Sequence, residues 1–230
     1  MCARYTLTEE IVLILKRLFI KKPLPDFAPR YNIAPSQNAP VILNEEEKSV
    51  QLLRWGLIPS WAKDPAIGYK LINARAESIA EKPSFRAAFK KRRCLIPADG
   101  FYEWRLESDG KSKTPMRVRL KSKEPFTFAG LWETWKDPQE KEVRTFTIIT
   151  TEPNEILQPI HNRMPVILKQ EDEEAWLDPQ TDVRHLEKIL TPYSSNEMEA
   201  YAVSKLVNSP KHDSPDCIEP AIIPPPSTLL

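Results

Sequence analysis

Glycine, histidine and cysteine are scarce in this chain: its 230 residues hold 5 Gly, 3 His and 3 Cys. Few glycines leave few places where a loop can turn through left-handed backbone, so the 23 prolines must shape the connections. That is roughly twice the average proline usage of ~5%, and it stiffens loops and lowers the entropy lost on folding. Cys2, Cys94 and Cys217 form no closely spaced pair, which argues against a disulfide framework and for a reducing compartment. His161, His185 and His212 have no ligand pair beside them, so no metal and no other cofactor is expected. The chain also lacks a Walker loop, GxGxxG, HExxH, CxxC and GxSxG, which removes most nucleotide, zinc and serine-hydrolase chemistry.

No apolar run approaches the ~20 residues needed to span a bilayer. Ile11 to Ile20 is interrupted by Lys16 and Arg17 and lacks the front and cleavage site of a secretory signal. The expectation is a soluble cytoplasmic monomer with no membrane partner, associated with the nucleoid if the source is bacterial. A net charge of +1 supplies no general attraction to nucleic acid, so DNA binding would need a local basic patch.

One globular domain over residues 1–230 is expected, with a loosely packed tail from about 222. Thr8, Glu9 and Glu10 read as the start of a helix running to about Ile20. Pro23 to Pro40 reads as an ordered, irregular segment. Strands are predicted at Val50–Trp55, Cys94–Ile96, Met116–Leu120, Phe126–Leu131 and Thr145–Thr150. Helices are predicted at Pro83–Arg93, Pro153–Gln158, Glu171–Leu177 and Val183–Leu190. Strands and helices do not alternate as βαβ units would, so the fold class is α+β with a mainly antiparallel, barrel-like core and flanking helices.

Cys2 is the position with the most chemistry. Its small neighbour-forming side chain permits removal of Met1, which would leave a free amine and a thiol on one residue. Their reference pKa values, about 7.7–8.0 and about 8.5, put part of each in nucleophilic form near neutral pH. The amine can condense with an aldehyde, and the thiol can close on the same carbon as a thiazolidine. For an abasic deoxyribose, closure removes the iminium that promotes strand cleavage. The plainer reading of Cys2 is a residue without a role at a frayed chain end.

Polar residues in apolar surroundings supply further candidates. Asn73 and Arg75 would share a face if Leu71 to Glu77 is extended. Glu103 sits among Phe101, Tyr102 and Trp104, where desolvation would raise its pKa toward that of a general acid/base; a solvent-facing glutamate on a strand is the alternative. His161 is placed between a short helix and a strand, either as a working loop residue or as a cap. Lys82, Arg86 and Lys90 recur on one side of a helix with Phe85 and Phe89 on the other, a basic stripe or simply a solvated face. Trp55 and Trp61 could stack on unpaired bases or belong to the core.

These strings resemble the SRAP family, named for SOS response-associated peptidases and including abasic-site processing proteins. The resemblance rests on Met1-Cys2-Ala3-Arg4-Tyr5, Arg30 to Pro35, Trp55 to Trp61, Asn73-Ala74-Arg75, Asp99 to Trp104, Ala129 to Trp132, Ile160 to Val166, Val203-Ser204 and Val207-Asn208. It implies the SRAP fold and a covalent trap for abasic sites in single-stranded or junction DNA. In that scheme Cys2 is the nucleophile, Asn73 positions amine and sugar, Glu103 is the general acid/base and His161 assists ring opening. The resemblance further implies that Arg4 and Arg75 hold phosphates while Pro35 and Trp61 shape the site. Ala3 stands where the family usually has Gly, and Asn162 where Asp is common. The family name also implies a thiol peptidase acting on its own leader or on other proteins, which is the alternative function.

Overall fold

The computed structural model describes residues 2–8, 11–20, 27–45 and 48–221. Its strands are β1 (Tyr5–Leu7), β2 (Arg30–Ile33), β3 (Asn38–Leu43), β4 (Val50–Trp55), β5 (Asn73–Arg75), β6 (Arg93–Ala98), β7 (Gly100–Leu106), β8 (Lys113–Leu120), β9 (Phe126–Lys136), β10 (Glu142–Thr151), β11 (Met164–Pro165), β12 (Ile167–Leu168) and β13 (Met198–Ala202). Its helices are α1 (Ile11–Arg17), α2 (Arg86–Lys91), α3 (Gln170–Leu177) and α4 (Val183–Lys188). None is long and apolar enough to cross a membrane.

The strand pairings close a ring. β10 runs parallel to β4, while β4 with β3, β3 with β6, β6 with β9 and β9 with β10 are antiparallel. Closure removes free edges from these five strands. A second sheet, ordered β13-β8-β7-β1-β2, is antiparallel throughout. The α+β, mainly antiparallel barrel expected from the sequence is therefore present.

Alternation along the barrel strands divides the core. Ala39, Val41 and Leu43 of β3, Cys94 and Ile96 of β6, and Phe128 of β9 join Trp55, Phe146, Tyr5, Ile33 and Phe101 in one cluster. Ile42, Leu95, Ala129 and Leu131 point the other way and meet Ile14, Phe89, Trp176 and Leu186 of the helices. Helices fit only on the outside of so narrow a ring, so the first cluster fills the barrel and reaches the second sheet. Tyr5 bridges the two bodies, with edge contacts to Trp55 at 5.3 Å and Phe128 at 5.9 Å between ring centroids. Each such aromatic pair adds about 0.5–1.5 kcal/mol beyond the area it buries.

Several expectations need correction. Pro153 to Gln158 forms turns rather than a helix: Asn154 Oδ1 accepts the Leu157 N–H at 3.1 Å, and Pro159 blocks continuation. The Pro23–Pro40 segment is less irregular than expected, because β2 and the first half of β3 fall within it; residues 21–26 lie outside the described part. Pro40 is tolerated inside β3 because β6 pairs only with Ile42 and Leu43, leaving the strand one-sided at the proline. The described part of the first helix, Ile11–Arg17, ends short of the expected Ile20, and the Thr8 hydroxyl donates to Asp99 Oδ2 at 2.7 Å. Glu9, Glu10 and the tail from 222 lie outside the described residues. The helix predicted to reach Arg93 stops at Lys91, since Arg93 opens β6.

Candidate active site at the amino terminus

The second sheet delivers the chain's beginning to the barrel. Tyr5 pairs with Phe101 across β1 and β7, and the Tyr102 N–H donates to the Arg4 carbonyl at 3.0 Å. Antiparallel register carried two residues further brings Ala3 and Cys2 alongside Glu103. Cys2 is fully buried as part of the barrel-filling cluster, which sets aside the frayed-end reading.

Asn73 arrives from a separate direction. β5 lies parallel to β10, with Asn73 opposite Ile148 and Arg75 opposite Thr150. Ala74 between them is buried among the helices, so Asn73 and Arg75 do share the other face. The Asn73 side-chain N–H donates to the Cys2 carbonyl at 2.8 Å, while its Oδ1 is buried with no hydrogen-bond partner among the described residues. The Trp55 indole N–H donates to the Ile72 carbonyl at 2.8 Å and steadies this strand from the core.

Glu103 is buried on β7, on the same face as Phe101. Burial pushes its carboxyl up to about 7, against the opposing pull of the amino terminus and Lys113. The solvent-facing alternative for Glu103 is thereby excluded. Burial also pushes the Cys2 thiol well above its ordinary range, and Glu103 adds to that rise. The thiol is thus protonated in the closed site, unlike the partly ionised group inferred from reference values.

His161 follows the turns at 155–160 and precedes β11. Its Nδ1 lies 3.0 Å from the Arg163 N–H and 3.3 Å from the Arg163 carbonyl oxygen. Partial burial and the amino terminus lower its pKa below the ordinary value, so the imidazole is neutral at pH 7. Asn73 donates to the Cys2 carbonyl and the Glu103 charge acts on the Cys2 thiol, so β5 and β7 meet the chain's beginning at Cys2. Arg163, whose part the sequence did not suggest, orients His161 and is itself held by Glu77 at 2.6 Å and by the Thr150 carbonyl.

The residues assigned to DNA are spread more widely. Arg75 is exposed. Trp61 is 58% exposed, whereas Trp55 is core, so only the former offers a free ring. Tyr69 is also exposed, with Arg54 stacked 5.6 Å from its ring centroid. Pro35 is half-buried in the turn between β2 and β3. The loop carrying Trp61 leaves β4 through Gly56 at φ 120, where an added Cβ would lie 2.7 Å from the Gly68 carbonyl oxygen. Only glycine fits that approach. Arg4 is largely committed to the protein: one guanidinium nitrogen donates to Asn32 Oδ1 at 2.9 Å and to the Val207 carbonyl at 2.7 Å. Arg86, Lys90 and Lys91 are exposed on α2 while Phe89 is buried, giving a basic outer stripe.

Comparison with known proteins follows the same lines. The family model described as SOS response associated peptidase (SRAP) matches residues 1–210. The abasic site processing protein YoqW of Bacillus subtilis is 53% identical over 223 residues, spanning 95% of this chain and 99% of that protein. The abasic site processing protein HMCES of Gallus gallus is 33% identical over 226 residues, spanning 84% of this chain and 67% of that protein. A crystal structure of a Bacteroides thetaiotaomicron protein, 31% identical, covers 96% of this chain and all of its own with a TM-score of 0.87. By its barrel, its motifs and these matches, the chain belongs to the SOS response associated peptidase (SRAP) family.

Proposed function

We propose that this protein processes abasic sites in single-stranded DNA, capturing them as a reversible thiazolidine crosslink through Cys2 once Met1 has been removed. The names of its relatives support the general activity. The observation that carries the specific mechanism is that Asn73 holds the Cys2 carbonyl while the buried Glu103 carboxyl acts on the Cys2 thiol.

The freed amine attacks the aldehyde carbon of the ring-opened deoxyribose. Glu103, poised near neutral pH, starts protonated: it gives its proton to the carbonyl oxygen, takes one from the added amine and returns it to the departing hydroxyl, so water leaves, an iminium forms and the carboxylate is left ionised. Because the Cys2 thiol is held protonated, the amine reacts first. Glu103 then accepts the thiol proton as sulfur closes on the same carbon, and the iminium nitrogen becomes a ring amine. The sum is aldehyde plus aminothiol giving thiazolidine plus water. Asn73 holds the Cys2 backbone so that both nucleophiles face one carbon. His161, its pKa lowered by partial burial, is assigned to ring opening and reversal.

Arg75 and Arg4 are assigned to phosphates, Arg4 having to release a contact to the protein to reach one, and Trp61 with Pro35 to the bend of an unpaired strand. The test is a denaturing gel of the protein mixed with single-stranded DNA carrying one abasic site. A shifted, covalent band that needs the abasic aldehyde is expected. Peptide cleavage without any such band would favour a thiol peptidase instead, and equal yields on internal duplex sites would refute the single-strand preference.

A further inference from the structure

His212, Asp216 and Cys217, none of them used in the proposed reaction, bring an imidazole nitrogen, a carboxylate oxygen and a thiol sulfur within 4.8 Å of one another. A short turn at Pro215–Cys217 folds the segment back on itself and makes this possible. His212 Nε2 lies 2.9 and 3.0 Å from the two Asp216 oxygens and 3.2 Å from the Ser214 hydroxyl. A serine-histidine-aspartate relay would need the hydroxyl and the carboxylate on opposite ring nitrogens. Here both gather on Nε2, so the arrangement is not a relay. Several electron-rich atoms surround a single point held by a proton, which is the geometry a cation would complete.

The neighbouring carboxylate shows the contrast. Asp213 is spent on the fold, accepting the backbone N–H groups of Tyr31 and Asn32 and pairing with Arg30. Asp216 makes its contacts only within the cluster among the described residues, through His212 and Ser214. Cys217 is buried, while the side chains of His212 and Asp216 are 32% and 44% exposed, so the cluster has an inner wall and an open mouth.

We propose that His212, Asp216 and Cys217 form a binding site for a borderline-soft divalent cation, Zn²⁺ in particular, with water in the fourth position. Thiolate, imidazole and carboxylate together suit zinc better than calcium or magnesium, which prefer oxygen alone. Tetrahedral zinc bonds of about 2.0–2.3 Å set ligand atoms roughly 3.3–3.7 Å apart, so side-chain rotations of about 1 Å suffice. On binding, the thiol proton passes to solvent and the proton of the neutral imidazole moves from Nε2 to Nδ1 so that Nε2 can ligate, a net release of one proton per ion. The site would act as a clip. The His212 carbonyl accepts from the Asn32 side chain at 2.7 Å, and the Cys217 carbonyl accepts from the Tyr102 hydroxyl at 3.2 Å. A bound ion would therefore fasten this segment to β2 and to β7, the strand that carries Glu103.

The experiment is a Co²⁺ titration of the full chain followed by absorbance, with Zn²⁺ as competitor. One equivalent should bind with a sulfur-to-cobalt charge-transfer band and tetrahedral visible absorption, and Zn²⁺ should erase both. Cys217→Ser should lose the charge-transfer band, Asp216→Asn and His212→Asn should each weaken binding about 10-fold or more, and Cys2→Ser should change nothing. At 100-fold excess of Zn²⁺ over its Kd, the Tm should rise by roughly 5–10 °C. Each variant's metal-free Tm checks that it has folded, and Asp216→Asn, which keeps the shape, serves if Cys217→Ser does not. No saturable binding, or a charge-transfer band that survives in Cys217→Ser, would overturn the site. Because these readouts need no DNA, the site stands or falls apart from the crosslinking reaction.

Discussion

Two buried glutamates on opposite sides of the barrel wall are treated differently. Under the helices, Glu173 of α3 is fully buried, bridged to Arg17 and accepting the Thr127 hydroxyl at 2.7 Å. At the barrel rim, Glu103 is almost as buried, and its carboxyl is pushed up to about 7. The first arrangement ties α1 and α3 to β9 and serves the fold. The second holds a proton poised for transfer, at a cost in stability whenever the group ionises. Burial alone does not mark a site; what distinguishes the rim is burial beside Cys2 and the amino terminus.

The largest expected effect breaks the comparison at the rim. An uncleavable extension ahead of Cys2 turns its amine into an amide while the thiol remains, so crosslinking should vanish on a denaturing gel. Noncovalent binding to single-stranded DNA should persist and weaken with salt through counterion release. The same crosslink from a protein shown by mass to be uncleaved would refute the aminothiol mechanism.

On the helix side, Trp176 is fully buried, packs against Phe89 and donates its indole N–H to the Cys94 carbonyl at 3.0 Å. Trp176→Ala should cost about 3–5 kcal/mol in urea unfolding, with crosslinking per folded molecule unchanged. A folded variant that has lost activity would show that the two sides are coupled.

Glu103→Gln should slow single-turnover crosslinking by about 100-fold or more. It also has a stability signature. A carboxyl raised from 4.5 to about 7 is protonated in the folded state while the unfolded chain ionises, so wild-type stability should fall as pH rises between those values and level off above them. Glu103→Gln should remove that fall, gaining roughly 2–3 kcal/mol relative to wild type between pH 4 and pH 8. Parallel stability profiles for the two proteins would show that Glu103 is not raised.

The smallest effect belongs to His161, which is only partly buried, so water can stand in for it. His161→Ala should slow transfer of the crosslink to competitor abasic DNA by about 10-fold, less than the loss at a buried acid/base. Transfer at the wild-type rate would remove His161 from reversal.

Much of this was legible because local chemistry agreed with the tertiary outcome. Val50–Trp55 emerges as a strand with the predicted limits, and α3 begins one residue earlier than expected, where alternation and helical spacing are strong. Pro153–Gln158 misled because its helical residues are bounded by prolines and claimed by the Asn154 side chain. The closing of His212, Asp216 and Cys217 escaped a search for paired histidines and cysteines, since the third ligand is a carboxylate and the turn that gathers them is short.

By itself the sequence supplied the proposed reactive group, because a cysteine in second place would carry an amine and a thiol once Met1 is removed, and that needs no fold to define it. It determined the strand-rich class as well, through periodicities that each segment carries locally. Only the tertiary structure decided that Trp55 fills the core while Trp61, six positions later, faces solvent. Only it raised Glu103 and the Cys2 thiol together, for desolvation depends on what the rest of the chain packs around a group. The meeting of residues 2, 73 and 103 was likewise set by the register of β1 on β7 and of β5 on β10, long-range pairings that no local pattern encodes.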